Sequence, residues 1–414
     1  MFPLFKKVHI AFLLFILLIV SNAIGWCNVD KTTDGRVVST DVVSEVPFEI
    51  FGQNIFIKVK INNNPKEYTF IFDTGSSSVI ISKEVASELG NFKMSTETII
   101  NDAVDASQKA KEIRLKSLNV CNTKVENCKV IVVDLSIFKT FGIKVDGILG
   151  NNFLKFFQVK IDYEKKLLTL SSNPDIILKS NQGYKVKLFF QEGLISTQLQ
   201  VGPTDSSNSW LIQRAIIDTG ASGDEYLHLP FNCMERIKLE LNSNLIKSIG
   251  FGGGGLFGES EAIYSRLSTM ELGGLKVNNI PIQFSLGKRI YITNKFLSHF
   301  IVMINYPKSE MFLLPYENKP FKTNVNSFGF IAKKDGNGKI KIVGLWEGSS
   351  AEKNGLKIGD EIITCSVNEI SNVKYEDLIP YLFSEQDIIL RLQIVNKSGQ
   401  REVTLKKTNL LSEI

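Results

Sequence analysis

The tripeptide Asp-Thr-Gly occurs twice, as Asp73-Thr74-Gly75 and Asp218-Thr219-Gly220, in the contexts FIFDTGSSS and AIIDTGASG. A given tripeptide turns up by chance in roughly one chain in ten of this length. Two copies, each straight behind an apolar run and 145 residues apart, are hard to assign to chance. A second repeat accompanies them. NFLKFFQVKIDY (152–163) aligns with KFLSHFIVMINY (295–306) at an offset of 143, so that Phe153, Leu154, Phe157, Val159, Ile161 and Tyr163 recur as Phe296, Leu297, Phe300, Val302, Ile304 and Tyr306. The near-equal offsets mean that a whole unit has been duplicated. Such a chain folds into two similar halves, which bring two carboxyl groups face to face.

Within each half the pattern is that of short strands and turns. Val-x-Ile-x-Tyr alternates as a strand with one buried face, and Phe-Leu-x-x-Phe has the spacing of a short helix behind it. Segments 48–61, with a turn near Gly52, and 129–135 read as further strands. A helix fits Lys83 to Leu89, with Ser82 as N-cap and Gly90 as C-cap. The fold class expected is mostly β: two homologous β-barrel lobes at 45–175 and 183–315, then a small α+β module at 325–408. The polar, proline-containing stretch 315–327 is the linker.

Composition removes several function classes. The 414 residues are 43% apolar and 22% charged, ordinary for a globular chain of two or three domains. The net charge of +5 comes from scattered lysines with no basic block, which argues against a nucleic-acid partner. Lys6 and Lys7 precede an apolar run from Ile10 to Val20 and the small-x-small pattern Ser21-Asn22-Ala23. That run is short for a bilayer span and suits a signal peptide over 1–25, hence export to a periplasmic, cell-surface or secreted location. An uncleaved anchor is the competing reading. Trp26 disfavours lipidation at Cys27, and no later segment is apolar enough to span a membrane. Five cysteines without a CxxC pair, and three histidines of which His9 lies in the signal, support no metal site. Cys121 and Cys128 are spaced to bridge within one hairpin, without the spacing demanding it. No GxSxG elbow is present, and no cofactor is implied.

Two apposed carboxyls are a complete catalytic apparatus for peptide hydrolysis, which needs an activated water and a proton for the leaving nitrogen. Like charges a few ångströms apart do not both ionise readily, so one acid stays protonated. Gly75 and Gly220 permit a tight turn whose following N–H bonds the carboxylate. Thr74 and Thr219 are expected to hydrogen-bond across to the opposite lobe. Ser76 and Ala221 occupy equivalent places, and a Ser76 hydroxyl donating to Asp73 would make Asp73 the more acidic partner.

In these residues the chain resembles the pepsin/retropepsin superfamily of aspartic proteases. The first half carries a second mark of that family, VDGILG (145–150), an apolar-apolar-Gly element that threads behind the aspartate loop in known members. The resemblance covers most of residues 45–315 and implies an aspartic endopeptidase with Asp73 and Asp218 as the catalytic pair, acting on an extended polypeptide as a monomer. The second half departs from the pattern, with Ile290-Tyr291-Ile292-Thr293 where Gly147-Ile148-Leu149-Gly150 would recur. Its segment GFGGGGLFG (250–258) resembles a glycine-rich flap, with Gly252, Gly253, Gly254 and Gly255 giving the tip its backbone freedom; a plain loop is the alternative. The corresponding segment 95–108 lacks glycine, so if only one flap closes the cleft, the second half is expected to supply it.

The C-terminal stretch GSSAEKNGLKIGDEI (348–362), with Ser327-Phe328-Gly329-Phe330 upstream, resembles a PDZ domain. Residues 374–383 would be its groove helix and 388–395 and 401–407 its closing strands. The resemblance implies that Phe328, Gly329 and Phe330 present backbone N–H groups to a peptide's C-terminal carboxylate. The combination resembles exported bacterial proteases that join the two modules. The competing class is a catalytically inactive peptide-binding protein using the same cleft and groove.

Overall fold

A computed structural model describes residues 35–38, 42–90, 96–173, 175, 183–202, 209–237, 245–317, 319–384 and 386–412. The expected signal segment 1–25 and Cys27 lie outside the described residues. The chain is mostly β with barrel sheets, and no helix among the described residues is long and apolar enough to cross a membrane.

Six strands of the first half close into a ring in the order Thr123–Val133, Val79–Ser82, Gly147–Leu149, Glu67–Phe72, Asn54–Ile61, Ser107–Val120 and back to the first. Six strands of the second half close in the same way: Leu275–Ser285, Leu227–Pro230, Ile290–Thr293, Trp210–Asp218, Leu194–Gly202 and Ile263–Leu272. The pairing directions match too. Gly147–Leu149 runs parallel to Glu67–Phe72 and antiparallel to Val79–Ser82, and Ile290–Thr293 runs parallel to Trp210–Asp218 and antiparallel to Leu227–Pro230. Closure leaves neither barrel an edge at its centre.

A six-stranded sheet joins the barrels through the antiparallel pair Gln158–Asp162 and Phe300–Asn305. Lys160 faces Met303 in this register, and these two are equivalents in the 143-residue repeat. A local twofold axis therefore passes between them. Val159, Ile161, Val302 and Ile304 are fully buried beneath, in a core continuous with both barrels. The Phe-Leu-x-x-Phe motifs begin in one-turn helices, Asn151–Leu154 and Asn294–Leu297. The helix Lys83–Leu89 forms with the Ser82 hydroxyl accepting the Val85 N–H and with Gly90 as cap at φ 95°.

The C-terminal residues form their own core around Phe328, Leu356, Leu378, Leu390 and Leu405. Its strands are Phe330–Lys334, Ile340–Trp346, Glu361–Val367, Ile389–Asn396 and Gly399–Lys406, with the helix Tyr375–Phe383 packed on Glu361–Val367. This module is not a detached appendage. Ile340–Trp346 pairs antiparallel with Ile246–Gly250 of the second half, Ile249 opposite Leu345, so one hydrogen-bonded sheet runs from the second barrel into the tail. Cys121, Cys128, Cys233 and Cys365 are free thiols, so the Cys121–Cys128 bridge does not form.

Candidate active site

Each Asp-Thr-Gly ends a barrel strand buried between parallel and antiparallel neighbours, and the chain turns sharply at the glycine. The Gly75 and Ser76 N–H groups donate to Asp73 Oδ1 at 2.7 and 3.1 Å. In the second loop Gly220 and Ala221 donate to Asp218 Oδ1 at 2.8 and 3.0 Å. The loops interlock through their threonines. Thr74 N–H donates to Thr219 Oγ1 at 3.0 Å and Thr219 N–H to Thr74 Oγ1 at 3.1 Å. Each hydroxyl in turn donates across to a carbonyl, Thr74 to Ile217 at 2.7 Å and Thr219 to Phe72 at 3.0 Å. All these threonine atoms are buried, so the four bonds are made where an unpaired polar group costs most.

This interlock fixes the carboxyls opposite one another. A Cβ placed on Gly75 would lie 2.3 Å from Asp218 Cγ, and one on Gly220 would lie 2.5 Å from Asp73 Cγ. Any side chain at either glycine would overlap the carboxyl of the other loop. Burial pushes both acids above the usual carboxylate range, and Asp218 well above it because the neighbouring Asp73 charge adds to the burial. Asp73 rises less, since the Gly75, Ser76 and Gly220 amides and the Asp218 hydroxyl all favour its charged form. The expected cause of this asymmetry is corrected, because the Ser76 hydroxyl donates to the Ser78 carbonyl at 2.8 Å and not to Asp73.

The missing glycines of the second half are explained by exchanged volumes. Gly147 lies beside Phe70 in the parallel pair, and a Cβ there would stand 2.4 Å from the Phe70 ring. The equivalent pair is Ile290 beside Ala215, with the large residue on the opposite strand. At the next glycine, a Cβ on Gly150 would meet the Ser78 carbonyl at 2.3 Å. Its counterpart Thr293 has room because the loop after Asp218 is longer: Ile148 faces Ile80, whereas Tyr291 faces His228. That extra loop supplies the Glu225 carbonyl, which accepts the Thr293 hydroxyl, and the Tyr226 carbonyl, which accepts Thr293 N–H at 3.1 Å.

Two hairpins, one from each half, meet at their tips. One is Thr96–Asn101 with Ser107–Val120; the other carries the short ladder Gly253–Gly254 with Glu259–Ser260. The first half thus contributes a hairpin beside the glycine-bearing one of the second. Asp102, at the turn of the first hairpin, accepts Phe257 and Gly258 N–H on Oδ2, both at 2.8 Å, and Val104 and Ala106 N–H on Oδ1 at 3.1 and 2.9 Å. Leu256 and Phe257 pack against the apolar wall that includes Ile71, Ile80 and Ile148, and Ala103 packs against Ile216 and Tyr291. Each tip thus covers the wall of the opposite barrel.

The four glycines at 252–255 all lie outside the left-handed region, so none is required here by a positive φ. Three of them are closely approached: a Cβ on Gly252 would meet Ser248 Oγ at 2.5 Å, one on Gly254 the Gly258 carbonyl at 2.6 Å, and one on Gly255 Asp102 Cγ at 2.3 Å. The base of this hairpin is held by the tail. Phe251 N–H donates to the Val343 carbonyl at 2.9 Å, and the buried Lys333 ammonium sits 3.6 Å above the Phe251 ring and 2.6 Å from Glu259.

In the tail loop, Phe328 and Phe330 are buried in the module's core. Gly329 has φ 89°, and a Cβ on it would overlap Ser349 at 2.0 Å. Its N–H donates to Ser327 Oγ at 3.0 Å, so an incoming carboxylate would have to displace that hydroxyl. The Tyr375 hydroxyl, from the helix beside it, donates to the Ala332 carbonyl on the outer side of the Phe330–Lys334 strand. Gly52 and Gly142 of the first half lie against Phe383 and Glu376 of the same helix.

Sequence reasoning did not single out four buried side chains that join distant segments around the site: Asp102 to Phe257, Asn151 to Thr74, Tyr306 to Asn151 and Lys333 to Glu259. A signal existed for two of them: Tyr306 is the twin of Tyr163 in the repeat, and extending that alignment one residue upstream pairs Asn151 with Asn294. Among the described residues, no cluster of metal-ligating side chains occurs. No curated protein matches the chain. Residues 57–153, which carry Asp73 and the Gly147–Gly150 element but stop short of Asp218, match the family model for aspartyl proteases, and that match supports a peptidase-type hydrolase.

Proposed function

We propose that the chain is an aspartic endopeptidase in which Asp73 and Asp218 share one proton. The observation that carries this reading is the reciprocal approach of each glycine to the opposite carboxyl, 2.3 and 2.5 Å from a notional Cβ. Asp73, ionised, takes a proton from a water as that water attacks the substrate carbonyl. Asp218, protonated, gives its proton to the carbonyl oxygen. The proton gained by Asp73 then passes to the leaving nitrogen, the C–N bond breaks as a hydroxyl of the tetrahedral intermediate returns its proton to Asp218, and the starting protonation is restored. The substrate lies extended between the pair and the two hairpins.

The test is hydrolysis of a denatured protein substrate by the wild type and by Asp73→Asn and Asp218→Asn. Each variant is expected to lose roughly a thousandfold or more, the loss typical of removing a member of a catalytic unit. Two variants that both match the wild type overturn the reading and favour a non-catalytic peptide-binding protein.

A further inference from the structure

The twofold relation between the halves produces a reciprocal pair of buried hydrogen bonds. The Tyr163 hydroxyl of the first half donates to Asn294 Oδ1 of the second at 2.5 Å. The Tyr306 hydroxyl of the second half donates to Asn151 Oδ1 of the first at 2.7 Å. Tyr163 and Tyr306 are repeat equivalents, as are Asn151 and Asn294, and all four side chains are buried. Each asparagine opens a one-turn helix behind an aspartate loop. Asn151 N–H donates to the Ser76 carbonyl at 2.9 Å and Asn294 N–H to the Ala221 carbonyl at 3.2 Å.

The symmetry stops at the asparagine amides. Asn151 Nδ2 donates to the Thr74 carbonyl at 2.7 Å, inside the Asp73-Thr74-Gly75 turn itself. Asn294 Nδ2 instead donates to the Gln53 carbonyl at 2.6 Å, and the Gln53 amide reaches Asp224 Oδ1 at 2.7 Å, six residues beyond Asp218. Asp73 is therefore braced from the opposite half by Tyr306, Asn151 and Thr74 in series. From the Asn294 side-chain amide, by contrast, the Asp218 loop is reached by the longer route through Gln53 and Asp224.

We infer that Asn151 and Tyr306 are positioning residues for Asp73, and that this one-sided brace keeps the Asp73 carboxylate in place while the twin pair Tyr163–Asn294 serves only to join the halves. Here Tyr306 acts through Asn151, and Asn151 through the Thr74 carbonyl, with neither touching substrate. The catalytic readouts rest on the aspartic endopeptidase reading, and the broken symmetry supplies an internal control. Tyr306→Phe and Tyr163→Phe each delete one buried hydroxyl hydrogen bond of the same kind, so a purely structural role predicts the same phenotype for both.

Expected results are a fall in kcat of about tenfold for Tyr306→Phe with KM within about twofold, and a displaced acidic limb of its pH–kcat profile. Tyr163→Phe keeps kcat within about twofold and its limb in place, and both variants lose comparable Tm. A substrate-free readout separates this inference from the reading beneath it: carboxyl-carbon NMR titration of the labelled aspartates in the full chain. Tyr306→Phe should move the Asp73 titration and Tyr163→Phe should not. Equal titration changes in both variants, or none in either, overturn the inference whether or not the wild type hydrolyses protein. A wild type that is inactive but shows the one-sided titration change retains the brace and removes the endopeptidase reading.

Discussion

Asp102 of the first hairpin and Phe257 of the second are joined by a hydrogen bond of 2.8 Å, carboxylate to backbone N–H, across 155 residues of sequence. Together with the Gly258, Val104 and Ala106 amides, it makes Asp102 the acceptor for four backbone donors, two in its own turn and two in the opposite hairpin. The two hairpins are thus latched together by one side chain. Asp102→Ala removes every one of those acceptors and is expected to cost about 1–3 kcal/mol, the penalty for a hydrogen-bonded charge lost from a buried site. Amide exchange at Phe257 and Gly258 should accelerate, with exchange in the barrel strands unchanged. Unaltered exchange at both amides would refute the latch.

The exchanged volumes at Phe70/Gly147 and Ala215/Ile290 make a packing prediction. Gly147→Ala places a Cβ 2.4 Å from the Phe70 ring and 2.5 Å from the Ile80 carbonyl. Destabilisation of about 1–3 kcal/mol is expected, as for overpacked cores. Phe70→Leu in the same chain should recover only part of it, because the carbonyl contact is with backbone. Denaturant melts of the two single variants and the double variant measure the coupling.

The pH dependence of stability has two opposed slopes. Asp218 has a folded pKa well above the ordinary carboxyl value, so its contribution is present at acid pH and is lost as pH rises through that raised value. Asp218→Asn should therefore raise Tm at neutral pH relative to the wild type, with the gain shrinking toward pH 4. His299 goes the other way. Burial against Tyr226 holds its pKa down to about 4 against 6.5, so the folded state favours the neutral ring, and stability is lost as pH falls from 6.5 to about 4. That window corresponds to about 3 kcal/mol at ~1.4 kcal/mol per pH unit, and a His299→Gln chain should show a flatter Tm profile across it.

Lys333 ties the tail to the hairpin. Its ammonium, 2.6 Å from Glu259 and over the Phe251 ring, is largely buried, whereas Glu259 is mostly exposed. Lys333→Met keeps the aliphatic stem and removes the charge. Exchange over 251–260 should rise severalfold, with a stability loss of about 1–2 kcal/mol. Protection of that segment equal to the wild type would show that the backbone pairing of Ile246–Gly250 with Ile340–Trp346 holds the hairpin alone.

Where local chemistry suffices, the linear chain was legible. Ser82 and Gly90 bracket a helix that forms between them, since a hydroxyl acceptor and a residue at positive φ cap a helix whatever surrounds it. The 143-residue repeat located paired strands and one-turn helices, because alternation and helical spacing are carried by each segment alone. Reasoning of the same local kind failed at Ser76, whose hydroxyl had a nearer carbonyl at Ser78, and it did not reveal the close contacts at Gly252, Gly254 and Gly255.

By itself the sequence determined that two Asp-Thr-Gly turns would stand in equivalent places on duplicated halves, since repetition at a fixed offset leaves no other arrangement for a β chain of this kind. Only the tertiary structure decided how unequal the two turns are. Asp102 joining the two hairpins, Asn151 bonded to Thr74 while its twin turns to Gln53, and the tail joining the hairpin's sheet all depend on strand register between distant segments. No local propensity encodes that register; it is settled by which side chains fit together once both barrels have closed.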